Sequence, residues 1–188
     1  MARALIVVDV QNDFCEGGAL GVTGGNDVAR GVAAKIGEGG YDLVVTTQDW
    51  HVDPGTHWSA SPDYLDTWPV HCEAGTAGAE LHPAVAAALA ATDMPVVGVR
   101  KGEYEAAYSG FEGVDDAGRP LAEVLGAAGV EEVDVVGIAT DHCVRATALD
   151  AHATGLATTV LVDLTAGVAP GTTKVALDLL REKEVRLV

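Results

Sequence analysis

The sequence predicts a single α/β domain over residues 1–188: a doubly wound, six-stranded, mostly parallel sheet with helices on both faces. Three observations carry this. Short continuous apolar runs such as Leu5-Ile6-Val7-Val8 and Val133 to Ile138 have the character of strands buried on both faces, as in parallel sheets. Segments of helical periodicity alternate with those runs along the whole chain. No internal repeat, linker or low-complexity tract interrupts the alternation.

Strand one, Leu5–Val8, leads into a Gly-rich loop holding Gly17, Gly18, Gly21, Gly24 and Gly25. Asn26 then reads as the cap of a helix carrying Val28, Val32 and Ile36, closed by Gly39-Gly40. Leu43 to Thr47 is the second strand. From Asp49 to Gly78 there is no regular period, and a loop of that length in a compact domain is usually functional. Pro83 opens a helix to Ala91. Val96 to Val99 is the third strand, Gly102 to Gly118 is irregular, and Pro120 opens a helix through Leu121, Val124 and Leu125 that ends at Gly129. The fourth strand, Val133–Ile138, runs into a helix marked by Val144, Leu149 and Ala153, with Asp141 as its expected N-cap. Leu156 to Val162 is the fifth strand, Thr172 to Leu180 the last helix, and Val185 to Val188 the sixth strand.

Composition narrows the function classes. Hydrophobic residues make up 48% of the chain, so a core is available without staples. The formal net charge of -17 argues against nucleic acid or an anionic membrane as partner. Three irregularly spaced cysteines form no disulfide framework, which fits a reducing cytoplasm. The apolar run before Asp9 is too short for a signal or membrane segment. Monomer and small homo-oligomer both remain open.

In an open α/β sheet, functional side chains gather beyond the carboxyl ends of the strands. Asp9 ends strand one, Asp49 follows strand two, Lys101 ends strand three and Cys143 follows strand four. Cys143 falls in the first turn of a helix, where free N–H groups and the helix dipole favour a thiolate. Position alone leaves a reactive thiol and a packed structural cysteine equally open. An Asp9–Lys101 ion pair beside that cysteine favours catalysis over plain structure. A second cluster, Asp49-x-His51-x5-His57-x13-His71, offers one carboxylate and three imidazoles to zinc, iron(II) or manganese(II), and the absence of thiolates speaks against a purely structural zinc. Cys72 abuts a metal histidine, which leaves it a minor ligand alternative, whereas His82 and His152 read as ordinary surface or packing residues. Phe14, Trp68 and Tyr108 are either hydrophobic plugs or the walls of a small ring pocket. The glycines after strand one make no G-x-G-x-x-G turn and no Walker loop is present, so a nucleotide cofactor is not expected.

Ile6-Val7-Val8-Asp9-Val10-Gln11-Asn12-Asp13-Phe14, Asp49-Trp50-His51, Trp68-Pro69-Val70-His71-Cys72, Lys101-Gly102 and Gly137-Ile138-Ala139-Thr140-Asp141-His142-Cys143-Val144 together resemble the nicotinamidase/pyrazinamidase branch of the isochorismatase-like cysteine hydrolases. The resemblance covers essentially the whole chain. It implies Cys143 as nucleophile, Asp9 as general base and Lys101 as the cation that orders Asp9. It implies an oxyanion site at the backbone N–H groups of Ala139 and Cys143, with a cis peptide before Ala139. One divalent metal ion, zinc foremost, would be held by Asp49, His51, His57 and His71. Phe14 and Trp68 would sandwich the substrate ring, with Tyr108, Ile138, Ala139 and His142 around it. The implied reaction is hydrolysis of nicotinamide, and of pyrazinamide, through a cysteine thioester. The competing readings are a related hydrolase of another small amide, such as a ureido compound, and a non-catalytic metal-dependent ligand-binding module. Isochorismatases proper replace the nucleophile, so the cysteine speaks against that activity.

Overall fold

The computed structural model describes residues 1–188 throughout. Seven strands form one sheet: β1 (Ala2–Val8), β2 (Leu43–Asp49), β3 (Val96–Lys101), β4 (Val114–Asp115), β5 (Val130–Ile138), β6 (Ala157–Ala166) and β7 (Arg186–Leu187), in the order β4-β3-β2-β1-β5-β6-β7. All neighbouring pairs are parallel except β3 and β4. The expected six strands become seven because β4 lies inside the stretch read as irregular. Only Val114 and Asp115 pair, too short a run for any period to register. Five helices fill the crossovers: α1 (Gly25–Glu38), α2 (Pro83–Ala91), α3 (Leu121–Ala127), α4 (Arg145–Ala153) and α5 (Pro170–Glu182). No helix is long and apolar enough to cross a membrane.

Alternation along β1 divides the core in two. Ala4, Ile6 and Val8 pack on one face with Leu125, Ala148 and Leu180 from α3, α4 and α5. Leu5 and Val7 pack on the other with Val28, Val32 and Val85 from α1 and α2. Burial on both faces is why this strand reads as unbroken hydrophobicity rather than as alternation. The strand order reverses at β1, so the connections after β1 and β5 diverge and open a crevice at their carboxyl ends.

Two expected caps are displaced. Gly24, not Asn26, is the N-cap of α1, and the Glu16 carboxylate accepts from the N–H groups of Gly24 and Asn26 at 2.6 and 2.7 Å. Asp141 does not cap its own helix. Thr140–Val144 forms a π-turn whose N-cap is Ala139, and the Asp141 side chain instead accepts from Val168 N and Ala169 N at 2.9 and 3.3 Å and from the Thr172 hydroxyl. Asp141 thereby anchors the start of α5, and Cys143 sits in the π-turn rather than in a regular first helical turn. His82, expected to be an ordinary residue, is the N-cap of α2, its ring accepting from Ala84 N.

Candidate active site

The crevice collects the ends of four parallel strands. Asp9 directly follows β1, Asp49 ends β2 and Lys101 ends β3, while Cys143 lies in the turn after β5; all four are buried. Lys101 Nζ lies 3.0 Å from Asp9 Oδ2, 3.7 Å from Cys143 Sγ and 3.2 Å from the carbonyl of Ala107, and donates a short hydrogen bond to Asp49 Oδ1. The expected Asp9–Lys101 pair is thus one arm of a bridge between two carboxylates, since the same ammonium also holds the carboxylate of the imidazole cluster. Asp9 is fixed from its other side by the Thr47 hydroxyl, which donates to Oδ1 at 2.6 Å. Thr47 and Asp49 are two apart on one strand and so face the same way, a spacing visible in the sequence itself.

Burial sets the electrostatics. It pushes the Cys143 thiol well above the usual range, against the pull of Lys101 toward the thiolate. The sulfur lies in a buried π-turn, where burial opposes the thiolate and Lys101 favours it, so it needs an adjacent proton acceptor. Asp9 meets that need. Burial raises its carboxyl above the ordinary value while Lys101 and the Thr47 hydroxyl oppose the rise, and a carboxylate oxygen lies within 4.8 Å of the Cys143 sulfur. A carboxylate whose proton affinity is raised toward that of the group it must deprotonate suits a general base.

His51, His57 and His71 converge, with one side-chain nitrogen from each lying within 4.8 Å of the others. Asp49 Oδ2 faces them, 3.5 Å from His51 Nε2 and 3.8 Å from His71 Nε2. His51 Nδ1 meets the Gly102 carbonyl at 2.5 Å and His71 Nδ1 meets that of Pro69 at 2.7 Å. A carbonyl only accepts, so both Nδ1 atoms donate to it, and both Nε2 atoms are turned inward toward Asp49. His51 Nε2 and His57 Nδ1 are buried without any hydrogen-bond partner. Burial drives His57 down to about 4, with the neighbouring imidazoles adding to the effect, and burial lowers His71 as well. Three converging imidazoles, two with buried nitrogens that lack a hydrogen-bond partner, beside a carboxylate match the donor set of a divalent metal. Cys72 does not join the cluster; it is buried, at φ 47°, with burial raising its thiol.

A cavity joins the two groups, with Cys143, Asp49, His57 and His71 on its polar side. Phe14, Trp68, Tyr108, Ala139 and His142 line it, and Leu20, Val22 and Val168 complete the apolar wall. Trp68 Nε1 donates to the Tyr108 hydroxyl at 3.1 Å, and the His142 ring stacks on Tyr108 and meets Trp68 edge-on at 5.0 Å. The aromatics are therefore walls and not plugs. Leu20 and Val22 come from the Gly-rich loop and Val168 follows β6, positions that only the three-dimensional path brings to the rim. Ile138 is fully buried in the core beneath the site and does not line the cavity, although the Ile138–Ala139 peptide is cis, as the resemblance implied. The segment from His57 to Trp68 is closed upon itself: Trp68 N donates to His57 O and Ser59 N to Trp68 O, both at 2.8 Å, while the Asp63 carboxylate gathers the N–H groups of Leu65, Asp66 and Thr67.

Comparison with known proteins agrees with this geometry. Residues 3–188 match the isochorismatase domain family. The chain is 56% identical over 188 residues to the nicotinamidase/pyrazinamidase of Mycobacterium tuberculosis, covering 99% of this chain and 98% of that protein. The structure of PnC1 from L. infantum in complex with nicotinate superposes with a TM-score of 0.84 at 34% identity, covering 100% of this chain and 92% of the other. The pyrazinamidase of Pyrococcus horikoshii in complex with zinc gives 0.80 at 36% identity, covering 100% and 99%. The chain belongs to the isochorismatase family.

Proposed function

We propose that this protein is a nicotinamidase, one hydrolase domain across residues 1–188, which converts nicotinamide to nicotinate and ammonia and accepts pyrazinamide. The observation that carries the reading is the meeting, in one small apolar cavity, of a thiol–carboxylate–ammonium group with a cluster of imidazoles. The high identity to a nicotinamidase/pyrazinamidase supports the choice of substrate.

Cys143 is the nucleophile. Asp9 takes its proton as the sulfur attacks the carboxamide carbon, and Lys101 offsets the charge that would otherwise accumulate between two carboxylates and a thiolate. The backbone N–H groups of Ala139 and Cys143 receive the developing oxyanion; loss of one such donor typically costs about 3 kcal/mol. Asp9 returns the proton to the departing ammonia, leaving a thioester on Cys143. It then takes a proton from water, whose oxygen attacks the thioester carbon, and the acid leaves as Cys143 regains its proton. Phe14 and Trp68 hold the ring between them, with Tyr108 and His142 at its margin. Asp49, His51, His57 and His71 would hold one divalent ion, zinc foremost, and the chemistry it would supply is a Lewis-acid site that orients the substrate ring.

The test is ammonia release from nicotinamide by purified, metal-loaded protein. Activity is expected in the parent and none in Cys143→Ala, with metal content unchanged. Metal-loaded parent protein that releases no ammonia overturns the reading in favour of a ligand-binding module.

A further inference from the structure

The segment from Asp9 to Phe14 supplies a catalytic side chain at one end and a pocket wall at the other, and the residues between them are unused by the mechanism. Their contacts are specific. Gln11 is fully buried, and its side chain behaves like a strand partner for Asp49: Oε1 accepts from Asp49 N at 2.9 Å, while Nε2 donates to Asp49 O at 2.9 Å and to Ala79 O at 2.8 Å. Asp13 reaches the segment after His71, its Oδ2 accepting from Cys72 N at 2.7 Å and its Oδ1 from Ala19 N at 3.1 Å. Cys72 O in turn accepts from His51 N at 3.1 Å, and His51 O accepts from Ala74 N at 2.8 Å.

We propose that Gln11 and Asp13 are positioning residues for the metal site, setting the backbone of Asp49 directly and those of His71 and His51 through Cys72. This deepens the metal reading given above and rests on it. Asp49 is the last residue of β2, but His51, His57 and His71 come from the irregular stretch beyond the strand ladder, and ligands on such a stretch hold their geometry only when its backbone is tied elsewhere. Both side chains lie on the strand-one connection, so the segment that presents the general base also sets the ligand spacing. Cys72 is held at a left-handed φ of 47°, uncommon for a non-glycine residue, and the bond from its N–H to Asp13 helps to hold it there. Gly78 offers an indirect handle. A Cβ there would lie 2.2 Å from Asp13 Oδ2 and 2.5 Å from its Cγ, so alanine must displace the carboxylate while leaving every ligand untouched.

The test compares zinc affinity, by competition with a chromophoric chelator, and melting temperature with and without zinc, for the parent, Gln11→Met, Asp13→Ala and Gly78→Ala. Asp115→Ala serves as control, since it removes a comparable turn carboxylate that accepts from Ala117 N and Arg119 N away from the cavity. The three variants are expected to weaken zinc binding about 10- to 100-fold and to shrink the gap between zinc-loaded and zinc-free melting temperatures. The control should lower both melting temperatures alike at unchanged affinity. If Gln11→Met does not fold, Gly78→Ala and Asp13→Asn, which keeps one acceptor, decide the matter. Zinc affinities within about threefold of the parent overturn the inference and leave the metal reading standing. A parent that takes up no zinc overturns both.

Discussion

Lys101 shows what a single residue does here. It is buried between two carboxylates and the thiol, so its charge bears on the fold and, in the proposed mechanism, on the chemistry. Lys101→Met leaves Asp9 and Asp49 facing each other without a cation; breaking a buried pair in this way typically costs about 3–5 kcal/mol. Denaturant unfolding should register that loss, and ammonia release should fall at least about 100-fold. His57 gives a pH signature. Its folded value of about 4 lies below the ordinary 6.5, so between those values the unfolded chain binds a proton that the folded chain refuses. Stability of the metal-free protein is therefore expected to fall as pH drops from about 6.5 toward 4. Burial lowers His71 in the same direction, whereas the raised carboxyl of Asp9 works the other way. Melting curves across this range, with His57→Asn showing a flatter dependence, check the assignment. Cys143, Asp9 and the three histidines were legible in the sequence because each is a reactive residue at a strand end or in a long irregular loop. The second arm of the Lys101 bridge was not, because no sequence spacing says which of two carboxylates an ammonium will reach.

At the scale of elements, the turn after β5 is held by a residue whose role the sequence misled. Asp141 stands where an N-cap belongs, yet its carboxylate serves the start of α5, beyond the end of β6. Burial acts to raise its carboxyl, and the bonds from Thr172, Val168 and Ala169 outweigh it, so the group is held below the ordinary carboxylate value. Asp141→Ala should cost about 1–2 kcal/mol, as lost caps do, and lower the melting temperature by about 2–4 °C per kcal/mol in a chain of this size. Differential scanning calorimetry measures it directly. Just upstream, Gly137 has φ 119°, and a Cβ there would lie 2.0 Å from the carbonyl oxygen of Val8. Gly137→Ala must push β5 away from β1, the two strands whose ends carry Cys143 and Asp9. Loss of both soluble yield and ammonia release is the expected outcome. Helices and long strands were readable because burial imposes a period on many residues at once; β4, with two paired residues, imposes none.

At the scale of the molecule, an acidic chain gathers three imidazoles and the Asp49 carboxylate at one cavity, a donor set for a divalent cation. Removing the metal with a chelator should lower the melting temperature and abolish ammonia release. Zinc at about 100 times its dissociation constant should restore about 2.7 kcal/mol, read as the recovered melting temperature. The doubly wound plan was legible because it follows from alternation alone, and it places strand ends together before any loop is traced. Leu20, Val22 and Val168 were not legible as cavity walls, because their arrival depends on loop paths that carry no period. The self-closed segment from His57 to Trp68 has a consequence for engineering. The bonds that seat its two functional ends connect His57, Ser59 and Trp68, and Asp63 organises the tip between them by accepting from Leu65, Asp66 and Thr67. A graft that replaces the tip should therefore keep an Asp at position 63 if Trp68 is to stay in the cavity wall.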